Sequence, residues 1–207
     1  MKRVCVFCGS SPGARQEYVD AAIMLGRTLA QRKIGLVYGG GKVGLMGYTA
    51  NAAAQAGGEV IGVIPKGLVR KEVAFTALGD LRVVDTMHER KALMAELSDG
   101  FIAMPGGLGT LEEFFEALTW AQLGMHEKPC GFLNVCHYYD SILGFLDSAE
   151  KEQFIDHGHR EMILVDESPG ALLDQFAIYK PPTADKAAWA LQLTGVYTTA
   201  ASHVKNK

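Results

Sequence analysis

What this chain of 207 residues lacks narrows its class first. It contains no run of about 18 uncharged apolar residues, which excludes a membrane-spanning helix. Its opening, Met1-Lys2-Arg3-Val4-Cys5-Val6-Phe7-Cys8-Gly9, has too short an apolar run for a signal peptide, so a cytoplasmic protein is expected. A strong imbalance between positive and negative residues is missing as well. Lys and Arg total 20 against 23 Asp and Glu, a net charge of −3, so no global basic field exists to hold nucleic acid. Cysteine is scarce, with Cys5, Cys8, Cys130 and Cys136 the full set. The first two have C-x-x-C spacing, but they lie in an apolar run that reads as a strand, where residues three apart face opposite ways. No second close pair completes a zinc set, so buried core thiols are expected and no metal.

What is present is an ordinary globular composition, 48% hydrophobic and 21% charged, which excludes a disordered chain. The length suits one domain, expected over residues 1–180, with a loosely ordered, small and polar tail over 181–207. Short apolar runs alternate with longer helical ones. Strands are expected at 3–7, 34–38, 60–64, 81–84, 101–104, 131–135 and 162–165. Helices are expected at 16–31, 45–55, 91–97, 111–123, 139–149 and 169–176. Residues 66–80 have no clear period and read as a surface loop or irregular helix. Strands apolar throughout and alternating with helices belong to a parallel sheet covered on both faces. The expected fold is therefore α/β, a doubly wound, mostly parallel, Rossmann-like sheet that gathers ligands at the carboxyl ends of its strands.

Two glycine-rich loops follow strands. Gly39-Gly40-Gly41-Lys42-Val43-Gly44 matches G-x-G-x-x-G, yet the next strand ends Val63-Ile64-Pro65-Lys66 with no carboxylate for a ribose. A dinucleotide-dependent oxidoreductase fails on that point. A Walker loop fails because Val43 follows Lys42. Either a tight turn, or phosphate or ribose contact through Gly40 and Gly41, remains. The second loop, Pro105-Gly106-Gly107-Leu108-Gly109-Thr110, runs into Leu111-Glu112-Glu113. Its glycines let backbone approach a ligand, and a phosphate there would meet free N–H groups and the positive end of a helix dipole. Thr110-x-x-Glu113 equally matches a capping box, which would make Glu113 helix punctuation worth about 1 kcal/mol. Helical spacing places Leu111, Phe115 and Leu118 on a core face and Glu112, Glu116 and Thr119 on another. A third feature, Met87-His88-Glu89-Arg90-Lys91, could clamp a phosphate or fix a carboxylate, or be a solvated basic turn.

Taken in order, Cys5–Ser11, Val37-Tyr38-Gly39-Gly40-Gly41, Gly44-Leu45-Met46-Gly47, the segment 87–91, the loop and helix start 105–113, and Leu118-Thr119-Trp120-Ala121-Gln122-Leu123-Gly124 resemble the lonely-guy (LOG) family over roughly residues 1–178. The resemblance implies a phosphoribohydrolase that cleaves the N-glycosidic bond of cytokinin riboside 5′-monophosphates, releasing free base and ribose 5-phosphate. It implies Arg90 and Glu113 as catalytic residues. It implies nucleotide contacts at Lys91, Gly106, Gly107, Leu108, Gly109, Thr110, Leu111, Glu112 and Thr119, and at Glu72. A homodimer with the site near the subunit boundary is implied too, with no cofactor. Members are often labelled lysine decarboxylases, but nothing here marks a Schiff-base lysine. The chemistry fits, since hydrolysis passes through an oxocarbenium-like sugar that a carboxylate stabilises only as the charge develops. Glu113 would activate water or face the cation, the Gly106–Thr110 loop would hold the phosphate, and Arg90 would position the nucleotide. The preferred base, a cytokinin or plain adenine, stays open. The alternative is a non-catalytic nucleotide-binding sensor or carrier module using the same loop. A carboxylate beside that loop argues against it, because it would repel the phosphate.

Overall fold

Seven short strands carry the chain's most apolar runs: β1 (Arg3–Phe7), β2 (Gly35–Tyr38), β3 (Val60–Pro65), β4 (Asp80–Val84), β5 (Phe101–Ala103), β6 (Cys130–Leu133) and β7 (Ile163–Asp166). In the computed structural model, which describes residues 1–69, 75, 80–182, 189, 191 and 193, they form one sheet in the order β4-β3-β2-β1-β5-β6-β7. Every neighbouring pair is parallel. The five inner strands are buried almost throughout, while β4 and β7 at the edges are largely half-buried. Continuous burial is what two covered faces demand of a parallel strand.

Helices α1 (Gln16–Gln31), α2 (Gly44–Gln55) and α7 (Pro169–Ile178) cover one face; α3 (Met87–Leu97), α4 (Leu108–Gln122) and α5 (Asp140–Lys151) cover the other. Strand β1 shows the alternation directly. Val4, Val6 and Cys8 pack with the first set, and Cys5 and Phe7 with the second. The C-x-x-C thiols thus open onto opposite faces, as strand geometry requires, and burial pushes both well above the ordinary thiol range. Among the described residues no helix is long and apolar enough to cross a membrane.

Several boundaries differ from the sequence expectation. Helix α3 begins four residues earlier than its apolar period suggests, because Thr86 caps it: the Thr86 hydroxyl accepts from Glu89 N–H at 3.1 Å. The Glu89 carboxylate reaches back to the N–H of Asp85 at 3.0 Å. Helix α4 begins three residues early, on Gly107 as N-cap. Its fully buried stripe is Thr110, Phe114, Ala117 and Ala121, with Leu111, Phe115 and Leu118 only half-buried at its margin. Small residues at 110, 117 and 121 let the helix lie close on the sheet, which rotates the larger side chains outward. A short helix α6 (His157–Glu161) and a 3-10 turn at Val135–His137 have no counterpart among the expected elements, whereas the 3-10 turn at Lys66–Leu68 opens the segment expected as a surface loop or irregular helix. Most of 70–79, including Glu72, and most of the expected tail lie outside the described residues.

Candidate active site

In this sheet order the chain winds outward in both directions from β1 and β5, so the loops leaving their carboxyl ends diverge and open a crevice. A cavity of about 310 Å³ occupies that crevice, floored by Gly9, Ser10, Ser11, Pro105, Gly106 and Gly107 and walled by Tyr18 and Tyr138. Gly9 stitches its parts together: its N–H donates to Pro105 O at 3.0 Å, and its C=O accepts from Leu45 N–H at 3.0 Å. Gly44, at φ +62°, lies so close beneath this loop that a Cβ there would sit 2.2 Å from the Ser10 carbonyl carbon. Only glycine satisfies both conditions.

The second wall of the crevice is the start of α4. No side chain caps it and no acidic residue stands in its first turn, unlike the fully capped start of α3. A Cβ built on Gly107 or Gly109 would meet nothing within 4 Å, and neither has positive φ. Protein packing therefore does not demand glycine at these two positions, and the space above them is open to an anion approaching the helix N–H groups. Thr110 is buried as the third residue of the helix rather than its N-cap. The capping-box reading of Thr110 and Glu113 is thereby corrected: Glu113 lies a full turn too deep to return a hydrogen bond to the cap.

Glu113 instead faces Arg90. Arg90, in the first turn of α3, is 4% exposed. Its Nη2 lies 3.3 Å from Gly39 O and 3.7 Å from Glu113 Oε1. Both side chains are largely withdrawn from solvent, at 5% and 13% exposure. A Cβ on Gly39 would fall 2.1 Å from Arg90 Nη2, so the first glycine of the triple is the seat of the guanidinium. Gly40 and Gly41 lie beside this seat, with the Gly40 C=O accepting from Phe75 N–H at 2.9 Å and Gly41 buried. Burial, then the Glu113 carboxylate, pushes the Cys8 thiol upward, which places that carboxylate's field over the end of β1.

Lys91 turns toward α4, where Nζ meets Glu112 at 2.6 Å and Glu116 at 2.9 Å. Burial lowers its pKa, but the two carboxylates outweigh that, and the net direction is upward. Lys91 and Glu112 thus bind each other and bolt α3 to α4. Leu108 is exposed at the mouth of the loop. Thr119 is exposed and donates to Phe115 O at 2.6 Å. It lies ten residues beyond Gly109, about 15 Å along the helix, and is not gathered with the loop in one chain. Gly39, Tyr138 and the hydroxyl pair Ser10 and Ser11 were not singled out individually from the sequence. Ser10, Ser11 and Gly39 lie within recognisable blocks, whereas Tyr138 carries no signal of its own.

A family model described as "Possible lysine decarboxylase" matches residues 46–176. A cytokinin riboside 5′-monophosphate phosphoribohydrolase of Arabidopsis thaliana is 49% identical over 201 residues, covering 96% of this chain and 94% of that protein. Another from the same plant is 51% identical over 180 residues, covering 87% and 83%. The molybdenum cofactor carrier protein of Chlamydomonas reinhardtii superposes with a TM-score of 0.64 at 22% identity, covering 86% of this chain and 99% of that one; this likeness concerns the fold alone.

Proposed function

The chain belongs to the family of the cytokinin riboside 5′-monophosphate phosphoribohydrolases, whose model bears the description "Possible lysine decarboxylase", and from that premise we propose that it hydrolyses the N-glycosidic bond of such nucleotides, and of AMP, with Arg90 and Glu113 at the reacting centre. Water and the nucleotide enter; free base and ribose 5-phosphate leave. The observation that carries the assignment of roles is the buried Arg90–Glu113 pair at 3.7 Å, set one helical turn from an uncapped glycine loop.

The 5′-phosphate rests on Gly106–Thr110, taking the N–H groups that no side chain caps. Gly109 and Glu113 share a face of α4 one turn apart, ~5.4 Å, the scale on which a ribose separates its phosphate from its anomeric carbon. Glu113 then stands at the sugar, where its charge counts most as the oxocarbenium develops, and it can orient and deprotonate the attacking water. Arg90 offsets the cost of a largely buried carboxylate and positions the nucleotide. A cytoplasmic setting and a homodimer with the site near the subunit boundary belong to the same reading. A second copy would also give Thr119, distant from the loop in its own chain, a nucleotide to touch.

The deciding experiment follows base release from N6-isopentenyl-AMP and from AMP, with the unphosphorylated riboside as control. Release from the monophosphates alone is expected. Bound nucleotide without release from any of them would replace the hydrolase with the sensor or carrier reading.

A further inference from the structure

The glycine loop poses a mechanical problem. Gly106 and Gly107 carry no Cβ, so the peptide between them can turn over at little cost and present its carbonyl, rather than its N–H, to the crevice. A carbonyl oxygen facing a phosphate repels it, and an N–H binds it. Something must hold the plane.

Three consecutive carbonyls of this loop are claimed by the framework. Met104 O accepts from Tyr139 Oη at 2.6 Å, Pro105 O from Gly9 N–H at 3.0 Å, and Gly106 O from Tyr138 Oη at 2.7 Å. In a trans peptide the C=O and the N–H of the next residue point in opposite directions, and no cis bond occurs among the described residues. Fixing Gly106 O therefore fixes Gly107 N–H. Among the described residues nothing accepts from Gly106 or Gly107 N–H, and both residues line the cavity.

The turn that delivers the two tyrosines is itself unusual. Cys136 (φ +51°) and His137 (φ +59°) are consecutive left-handed residues, and neither is glycine. Such conformations are disfavoured for residues that carry a side chain and persist where surrounding contacts over-determine them. Here Asn134, buried, supplies those contacts: its Oδ1 accepts from Tyr139 N–H at 2.7 Å and its Nδ2 donates to Asp140 at 2.8 Å. The Tyr138 ring is wedged edge-on between Tyr18, at 5.7 Å, and Tyr139, at 5.0 Å.

We propose that Tyr138 is a positioning residue for the phosphate seat: its hydroxyl latches the Gly106–Gly107 peptide with the N–H turned to the substrate, and acts through that peptide without touching the reacting bond. This rests on the reading of Gly106–Thr110 as the phosphate site.

Tyr138→Phe removes one oxygen and leaves the ring contacts in place. KM for the monophosphate is expected to rise about tenfold with kcat within about threefold, the size of one well-placed hydrogen bond. Calorimetric affinity for ribose 5-phosphate should fall by the same factor. Unchanged KM and affinity would overturn the latch. So would a fall in kcat at unchanged KM, which would put the hydroxyl at the reacting bond. Wild-type binding of ribose 5-phosphate without base release would fail the hydrolase reading alone, and the latch would be decided on affinity. No binding of ribose 5-phosphate or AMP by the wild type would overturn both.

Discussion

Glu113 has no structural duty at the start of its helix, since Gly107 is the N-cap and no side chain serves it. The carboxylate does face the buried guanidinium of Arg90, so an amide of the same shape keeps the packing but loses that charge pairing, at a cost of up to about 3–5 kcal/mol. Glu113→Gln is expected to fold and to melt several degrees below wild type, while base release falls by about a hundredfold or more, the scale of losing one preorganised charged group. Near-normal turnover would remove Glu113 from the chemistry. Gly39 offers a complementary test from the other side of the pair. Its φ is not in the left-handed region, so alanine is tolerated by the backbone, and the atom in its way is the tip of a long side chain, Arg90 Nη2 at 2.1 Å. Gly39→Ala should leave the fold standing and push the guanidinium out of its seat. Activity is expected to fall at least tenfold, with a melting temperature close to wild type. A large loss of stability with normal specific activity would mean that the glycine serves packing and not Arg90.

Elements record where local sequence signals suffice and where tertiary seats take over. Helix α1 ends at the residues its period and flanks predict, because sixteen residues give an apolar stripe room to declare itself. The starts of α3 and α4 were read late because Met87, His88, Leu108 and Gly109 lie outside the apolar period. A cap at Thr86 and the turn through Gly107 set them instead. Arg90 and Glu113 lie on different helices, and no spacing rule brings them together; the fold class gave the sheet edge, and family resemblance the pair. Tyr138 was illegible because its role depends on left-handed backbone at Cys136 and His137, residues that do not advertise it as glycine or asparagine would. Helix α6, five residues long, is too short for a period; Asp156 caps it, accepting from Gly158 N–H at 2.9 Å, His159 is buried, and the first residue of the helix adds ion pairs. His157 meets Glu150 at 2.7 Å and Glu161 at 3.4 Å. The hydrogen bond to Glu150, then the fields of Glu161 and Glu150, raise the His157 pKa. The folded state therefore prefers the protonated ring, so its stabilisation is complete below the ordinary value of about 6.5 and disappears as pH rises through the raised one. Amide exchange in α6 should be faster in His157→Gln than in wild type at pH 5.5, with the gap closing by pH 9. An equal gap at both would assign the docking of α6 to something other than the ion pair.

At the scale of the molecule, the site occupies the seam from which the two halves of the sheet diverge, one running β1 to β4 and the other β5 to β7. Its floor comes from both: Gly9, Ser10 and Ser11 follow β1, while Pro105, Gly106 and Gly107 follow β5, with the Gly9–Pro105 hydrogen bond already bridging them. A nucleotide in this crevice cannot bind one half alone, and it should tighten both loops together. Because it binds only the folded chain, free ligand at 100 times its Kd adds about 2.7 kcal/mol of stability. For a chain of this size each kcal/mol moves the melting point by about 2–4 °C, so a rise on the order of 5–10 °C is expected with AMP or ribose 5-phosphate. The unphosphorylated riboside at the same concentration should give little, since the helix N-terminus and glycine loop act on the anion. Hydrogen exchange under the same conditions locates the effect. Slowing in both 8–11 and 105–110 is the signature of a ligand across the seam. Slowing confined to one segment, or a full thermal shift from the riboside alone, would move the binding site away from the switch point and leave the uncapped start of α4 without its anion.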